Sequence, residues 1–324
     1  ATGVTLYLGT NVITVTARDA AGNTATDVLT VLLTDSQAPT VEITSPAEQS
    51  STRSCNAITL AGTASDNVEV AYVTWSNNRG GSGTCVGTTS WTADVVGLSA
   101  GINTITVTAH DITGNTATDA LVVTYRNFRA DVAAAWRGLA MVSLPIVPDV
   151  ADPKIAVDFY GTQWAIFRPE TGAYVSYAND PGHLTWFEPA AATPGRGFWA
   201  YFDREGEPPC GTVPPQDRDA VIHLKPGWNL IGQPFASTVT WNTSAIRVRD
   251  GADERTLAEA AQAGWVREFM WGWRPNPGPG APYAGSYYLV ADPSRVTGAT
   301  GILEPWQAYW ILAAKEVDLI IPAP

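Results

Sequence analysis

The sequence predicts an all-β protein assembled from copied modules. Residues 9–31 recur at 101–123 with a constant offset of 92 positions, and 16 of the 23 aligned residues are identical. An offset of that length is the size of one small β-sandwich. Apolar and polar residues alternate along both copies, and turn-forming residues recur at intervals of about 8–12 positions. We therefore predict an antiparallel β-sandwich preceded by a partial copy. An internally duplicated β-sandwich or barrel with one short helix follows it.

The spacing of the predicted strands divides the chain into four parts. Residues 1–36 are the C-terminal hairpin of a truncated domain, 37–125 a complete domain, 126–135 a linker, and 136–324 a duplicated β-rich domain. In the complete domain, alternating segments separated by turn formers predict six strands. These are 38–46, 57–67, 69–78, 89–101, 103–111 and 116–125.

The C-terminal region contains its own weaker duplication. Four blocks recur in the same order, with Trp199 opposite Trp310, and they predict half-repeats at about 136–225 and 226–324. The matching blocks are 138–146 with 227–235, 167–169 with 273–275, 195–202 with 305–312, and 220–224 with 317–321. One short helix is predicted at 254–263, with Gly264 as its terminator.

Composition excludes two classes of partner. Only 15% of the residues are charged, and the net charge is −12 with three lysines in 324 residues. Phosphate binding requires clustered Lys and Arg, so we predict no nucleic-acid partner and no attraction to an anionic membrane surface. No apolar run approaches the length of about 18 residues that a membrane-spanning helix needs, so we predict no membrane insertion.

Residues 1–125 resemble the bacterial immunoglobulin-like repeats of secreted and cell-surface proteins. The resemblance rests on Gly101, Asn103, Ile105, Val107, Ala109, Asp111, Gly114 and Asn115, and on the same pattern from Gly9 to Asn23. It implies an Ig-like sandwich that acts as a spacer, an adhesive stalk or an accessory domain beside a glycosidase. The C-terminal half resembles an uncharacterised duplicated β-domain of secreted bacterial proteins.

The three cysteines provide evidence on whether the protein resides in an oxidising or a reducing compartment. Cys55 and Cys85 lie 30 residues apart within one predicted sandwich, so we predict a disulfide and an oxidising environment. The alternative is two buried thiols. Cys210 is either buried and inert or available for a link to another chain.

Catalysis and cofactors are not predicted, since no catalytic motif is present. The three histidines fall in separate predicted elements, and the acidic residues that a glycosidase would need form no evident pair. These candidates are His110, His183, His223, Glu188, Asp203 and Glu268. Calcium is possible: Asp66, Asp111 and Asp119 offer hard oxygen ligands. The alternative for the Asp111–Asn115 segment is a hydrogen-bonded hairpin turn.

Aromatic residues supply the candidate ligand contacts. Trp271, Trp273, Tyr283 and Tyr287 lie in a proline-rich segment, where flat rings could stack on a sugar. The alternative is that they pack the core or staple the loop. Positions that are aromatic in both half-repeats, such as Phe167 with Trp273, are most economically structural.

The partial copy and the aromatics frame two hypotheses of function. The first is a non-catalytic extracellular or cell-surface structural or adhesive protein, including a fibre or surface-layer subunit. Its partners are copies of itself or neighbouring surface proteins. The second is a carbohydrate-binding accessory region of a secreted polysaccharide-degrading enzyme. The apolar face of the first hairpin is covered by missing strands, by the following domain or by strand addition from another chain.

Overall fold

The computed structural model confirms an all-β chain. It describes residues 3–48, 50–128, 132, 138–149, 164–169, 171–176, 194–202, 209–281 and 283–324. The chain divides into two compact units. The first unit contains Ala1–Ser50 and Ala57–Val123, and the second contains Ser51–Asn56 and Thr124–Pro324. Residues 51–56, which the sequence places inside the complete domain, thus group with the second unit.

The strands of the first unit follow the predicted order. From the N-terminus to residue 125 the strands are β1 Gly9–Arg18, β2 Thr24–Leu33, β3 Thr40–Ser45, β4 Ser50–Arg53, β5 Ala57–Ser65, β6 Val70–Asn77, β7 Ser82–Thr84, β8 Ser90–Gly97, β9 Gly101–Asp111 and β10 Thr116–Tyr125. Of these, β4 groups with the second unit apart from its first residue. Within this unit β3-β5-β8 form one sheet, and β10-β9-β6-β7 are neighbours in another. Apolar side chains from both sheets are buried, among them Leu60, Val73, Trp91, Ile105, Val107 and Leu121.

The β1–β2 hairpin repeats the β9–β10 hairpin in detail. Both turns are closed by an aspartate: Asp19 Oδ1 accepts the backbone N–H of Asn23 at 2.9 Å, and Asp111 Oδ1 accepts that of Asn115 at 2.8 Å. The two hairpins differ in burial. Val107 is fully buried, whereas its counterpart Val15 is 64% exposed. The β1–β2 pair is a separate two-stranded sheet.

The second unit contains the remaining strands and a helix. These are β11 Gly138–Ser143, β12 Val147–Pro148, β13 Trp164–Arg168, β14 Ala173–Ser176, β15 Gly197–Phe202, β16 Gly211–Val213, β17 Ala220–Leu224, β18 Gly227–Gly232, β19 Val239–Thr240, β20 Arg247–Asp250, β21 Asp253–Thr256, α1 Leu257–Gln262, β22 Met270–Pro275, β23 Gly285–Val290, β24 Ile302–Leu303, β25 Ala308–Ala313 and β26 Val317–Ile321. Thr256 caps α1 through a capping box with Glu259. Gly264, in the left-handed region at φ 74°, follows its last turn.

The predicted duplication appears as two four-stranded sheets of equivalent order, β11-β15-β13-β14 and β18-β25-β22-β23. Trp199 pairs with Met141 and Ala165 in the first sheet. Trp310 pairs with Leu230 and Trp271 in the second. A third sheet, β17-β26-β20-β21, joins the last matched blocks directly, since β17 pairs with β26.

The structure corrects the predicted disulfide between Cys55 and Cys85. The two cysteines are not bonded to each other. Cys85 is buried in the first unit, where its backbone N–H bonds Val73 O at 2.8 Å. Cys55 follows β4, which pairs with β16 of the second unit, so the local strand pairing sets Cys55 beside Cys210 instead.

Candidate functional site: an aromatic pocket and an acidic cluster

The aromatic pocket is built on Trp310, at the middle of β25. Strand pairing on both sides fixes this residue, and its side chain is only 8% exposed. Three rings stand nearly perpendicular to its indole. The centroid of Phe167 lies 4.8 Å away at 82°, that of Tyr174 6.3 Å away at 87°, and that of Trp228 6.4 Å away at 86°. Trp310 therefore forms the floor and these rings form walls.

The pocket has a volume of about 490 Å³ and an aromatic lining. Its lining residues are Phe167, Tyr174, Trp228, Trp271, Tyr287 and Trp310. Tyr174, Trp228 and Tyr287 are 52%, 43% and 51% exposed. Half-exposed large rings around a buried ring form an apolar concavity that is open to a ligand.

The pocket has few polar groups, but these can form hydrogen bonds with a ligand. The hydroxyl of Tyr174 accepts a hydrogen bond at 3.2 Å from Trp199 Nε1. Burial raises the pKa of Tyr174, so its hydroxyl stays protonated at neutral pH and can donate a hydrogen bond. The pocket can thus combine stacking on ring faces with hydrogen bonding at its edge.

Two of the four predicted aromatic candidates, Trp271 and Tyr287, line this pocket. The other two lie outside its lining. Trp273 donates its Nε1–H to Leu139 O at 2.7 Å and packs against the core, which is a supporting role. Tyr283 contacts Tyr201, with ring centroids 5.0 Å apart.

Trp228 was not predicted as a pocket residue, although the sequence contains a signal for it. Trp228 occupies the position of Leu139 in the first half-repeat, so it is aromatic in only one half. The sequence favours a structural role for Trp310 and Phe167, because their counterparts in the other half-repeat are also aromatic. The structure shows that a ring repeated for packing in one half lines a pocket in the other.

A second cluster lies in the first unit, where Asp35, Asp66 and Asp111 converge. Each offers a carboxylate oxygen, and these oxygens lie within 4.8 Å of one another. Asp35 Oδ2 and Asp66 Oδ1 are buried and have no hydrogen-bond partner. A side chain links two of the segments that form the cluster, because the side-chain amide Nδ2 of Asn115 donates to the backbone carbonyl of Asp35 at 3.2 Å. Three carboxylates with two unsatisfied buried oxygens suit a hard cation.

The structure places two of the three predicted calcium ligands in this cluster and the third outside it. Asp66 and Asp111 belong to the cluster, together with Asp35, which the sequence analysis did not single out. Burial tends to raise the pKa of Asp111, but hydrogen bonds from Asn115 and Thr113 outweigh it and hold the pKa at about 2. Asp119 has a structural contact instead, since its Oδ2 accepts the backbone N–H of Ile43 at 2.8 Å.

The remaining titratable candidates form surface contacts. His110 stacks on Tyr72 in the first unit, with centroids 4.3 Å apart. His223 lies in the second unit between Asp318 and Glu316, and Glu268 forms an ion pair with Arg295 at 3.2 Å. His183, Glu188 and Asp203 lie outside the described residues. Among the helices of the described part, none has the length and apolar character needed to cross a bilayer.

Comparison with known proteins supports the resemblance seen in the first unit. Residues 39–107 match the family model described as a bacterial Ig domain. This match confirms the Ig-like character of the complete module. No curated protein matches the chain in sequence.

Several solved structures align with the chain at low sequence identity and low TM-score. The fibronectin(III)-like modules of Clostridium thermocellum CbhA are 19% identical with a TM-score of 0.27, covering 38% of this chain; the chain spans 66% of theirs. A structure of carbohydrate-binding modules from the β-sandwich superfamily is 12% identical with a TM-score of 0.25, covering 89% and 98%. A tetra-tandem repeat from the extending region of a large adhesion protein is 13% identical with a TM-score of 0.26, covering 98% and 82%.

Proposed function

We propose that this protein is a non-catalytic extracellular or cell-surface adhesive protein that binds carbohydrate through the second unit. The Ig-like first unit serves as a spacer, as the bacterial Ig domain match favours. The observation that carries the proposal is the aromatic pocket, in which exposed rings surround the buried Trp310. Its partners would be a surface polysaccharide and neighbouring surface proteins.

The chemistry of the pocket favours a sugar over other neutral ligands. The axial C–H groups of a pyranose ring present an apolar face that gains dispersion energy on an indole or phenol ring. The hydroxyls at the rim of the sugar remain near the half-exposed Tyr174 and Tyr287. Among the described residues that line the pocket, none carries a carboxylate or an imidazole.

The direct test is affinity gel electrophoresis of the full chain in gels that contain soluble β-glucan, xylan or galactomannan. Any polysaccharide that slows the migration of the protein is then titrated by calorimetry. We expect Trp228→Ala to weaken binding by about tenfold or more, because it removes an exposed wall of the pocket. Tyr287→Ala is expected to act in the same direction.

Tyr283→Ala is the matched control, because Tyr283 is an equally exposed ring of the second unit that lies outside the pocket lining. Retardation that Tyr283→Ala preserves and Trp228→Ala loses supports the proposal. Absence of retardation on the whole panel, or equal losses in both variants, would contradict it.

We also propose that calcium binds the acidic cluster and stiffens the first unit. The support is chemical: two buried carboxylate oxygens without partners face a third carboxylate, and Asp35 lies between β2 and β3. Calcium binds six to eight oxygens, so backbone carbonyls and water would complete the shell. A cation here would tie the segment after the first hairpin to the complete sandwich.

A further inference from the structure

Cys55 and Cys210 lie opposite each other on two antiparallel segments of the second unit. In the ladder between β4 and β16, Thr52 pairs with Val213 and Arg53 with Thr212. The next step is made by the backbone N–H of Ser54, which donates to Gly211 O at 3.0 Å. Continued by one residue, this register sets Cys55 directly across from Cys210.

The position within the ladder favours a bond between the sulfurs. Because Ser54 and Gly211 are a hydrogen-bonded pair, the following pair is a non-hydrogen-bonded one, with Cα atoms typically about 4.5 Å apart. That separation falls within the range that disulfides span, about 4.4–6.8 Å. The side chains approach each other most closely at such positions.

The surroundings hold the two segments in place. The Ser54 hydroxyl donates to Pro209 O at 2.6 Å, and the backbone N–H of Asp149 donates to Cys210 O at 2.9 Å. Arg53 forms an ion pair with Asp149. Cys210 is exposed as a residue, although its sulfur is partly buried, so a small oxidant has a route to it from solution.

We propose that Cys55 and Cys210 form a cross-strand disulfide that fastens residues 51–56 to β16 in an oxidising environment. With a small-molecule disulfide as oxidant, one cysteine thiolate attacks it to give a mixed disulfide and release one thiol. The second cysteine thiolate then displaces the other thiol. Two S–H bonds are lost and one S–S bond forms, and the two electrons and two protons pass to the oxidant.

The hydrogen bond to Cys55 and burial raise the pKa of Cys210, so thiolate is scarce at neutral pH and exchange is expected to accelerate in alkali. The bond closes a loop of more than a hundred residues. Cross-links of that length confine the unfolded chain strongly, and the thermal midpoint of the second unit should rise by several degrees.

The test uses the full chain treated with oxidised glutathione, alkylated under denaturing conditions without reductant and digested with trypsin. Cleavage after Lys and Arg places the three cysteines on separate peptides, 54–79, 80–126 and 205–218. We expect peptide 54–79 linked to 205–218, released by reductant, with 80–126 alkylated. Cys85→Ala should retain the link and the gain in thermal midpoint, and Cys210→Ser should lose both.

Four results would overturn the proposal. They are a link between 54–79 and 80–126, a link between two copies of 205–218, a stable glutathione adduct on Cys210, and alkylation of all three cysteines after oxidation. Each can be read from the same digest by mass. None of them depends on carbohydrate binding, so this test and that of the proposed function fail independently.

Discussion

Single residues show how the two half-repeats diverged while keeping the same backbone. Among the residues that the structure describes, Trp306 is the non-glycine residue with a positive φ, which is 67°. Its counterpart in the first half-repeat is Gly195, at a φ of 111°. Both carbonyls accept equivalent bonds, from Ser143 N at 3.1 Å and Gly232 N at 2.8 Å. The left-handed backbone costs a non-glycine residue about 1–2 kcal/mol. Full burial of the indole offsets that cost.

His223 offers a test of electrostatics at the same scale. Its Nδ1 lies 3.0 Å from Asp318 Oδ1 and its Nε2 2.8 Å from Glu316 Oε1. The hydrogen bonds to Asp318 and then Glu316 raise the pKa of His223 above its usual 6.5. The imidazolium form is therefore favoured in the folded protein. This stabilisation is fully present below pH 6.5 and is lost as pH rises through the folded-state pKa.

We expect the wild-type protein to have a larger free energy of unfolding than His223→Gln at a pH of about 5.5. The difference between the two proteins should become smaller at a pH of about 8.5. The gap is small because the side chain is 49% exposed. Urea unfolding at both values measures it. NMR titration should give His223 a pKa above 6.5 in the wild-type protein and a lower pKa in Asp318→Asn. A wild-type pKa at or below 6.5 would contradict the stabilising interaction of His223 with Asp318 and Glu316.

At the scale of elements, the strands of the first unit were predicted closely because their patterns are local. Alternation placed β5, β6, β9 and β10 within a few residues, and the helix predicted at 254–263 with Gly264 as its terminator contains α1. β4 was not predicted as a strand. Its four residues, Ser50–Arg53, carry no apolar pattern, so its pairing with β16 depends on a distant backbone edge that no local signal records.

Strand β5 depends on a glycine for its packing. A Cβ on Gly62 would lie 2.1 Å from Glu42 O and 2.2 Å from the Trp91 ring. The backbone carbonyl belongs to the paired strand β3, so it cannot yield cheaply. We expect Gly62→Ala to lower the free energy of unfolding by about 3 kcal/mol.

Gly97→Ala in the neighbouring strand β8 is the control, since nothing lies within 4 Å of its Cβ position. Its effect should stay within about 0.5 kcal/mol. Urea denaturation followed by Trp fluorescence measures both variants. Similar losses in the two would show that the tight contact at Gly62 is not the cause.

For the whole molecule, the sequence repeats predicted the fold class, but most of the residues that form the pocket and the acidic cluster could be identified only in the folded structure. Trp271 and Tyr287, predicted as ligand contacts because they lie in a proline-rich segment, are found in the pocket lining. Tyr174 and Trp310 became pocket residues through the packing of two sheets, which no spacing within one half encodes. The cluster of Asp35 with Asp66 and Asp111 likewise joins positions far apart in sequence.

The proposed calcium site gives a prediction about the rigidity of the first unit. Adding about 1 mM calcium to metal-stripped protein should raise its thermal midpoint by several degrees, and a chelator should reverse the gain. Binding to the folded state at about 100 times Kd contributes about 2.7 kcal/mol. Asp66→Asn should abolish the shift, because it replaces a carboxylate whose Oδ1 has no other partner.

Asp119→Asn is the matched control, since Asp119 lies outside the cluster and an amide oxygen can still accept from Ile43 N. It should keep the full calcium response, and calorimetry should give one site per chain in both wild type and this variant. A wild-type protein indifferent to calcium would rule the site out. The three carboxylates would then be held in place by their own turns, in which Gln37 N donates to Asp35, Val68 N to Asp66 and Asn115 N to Asp111.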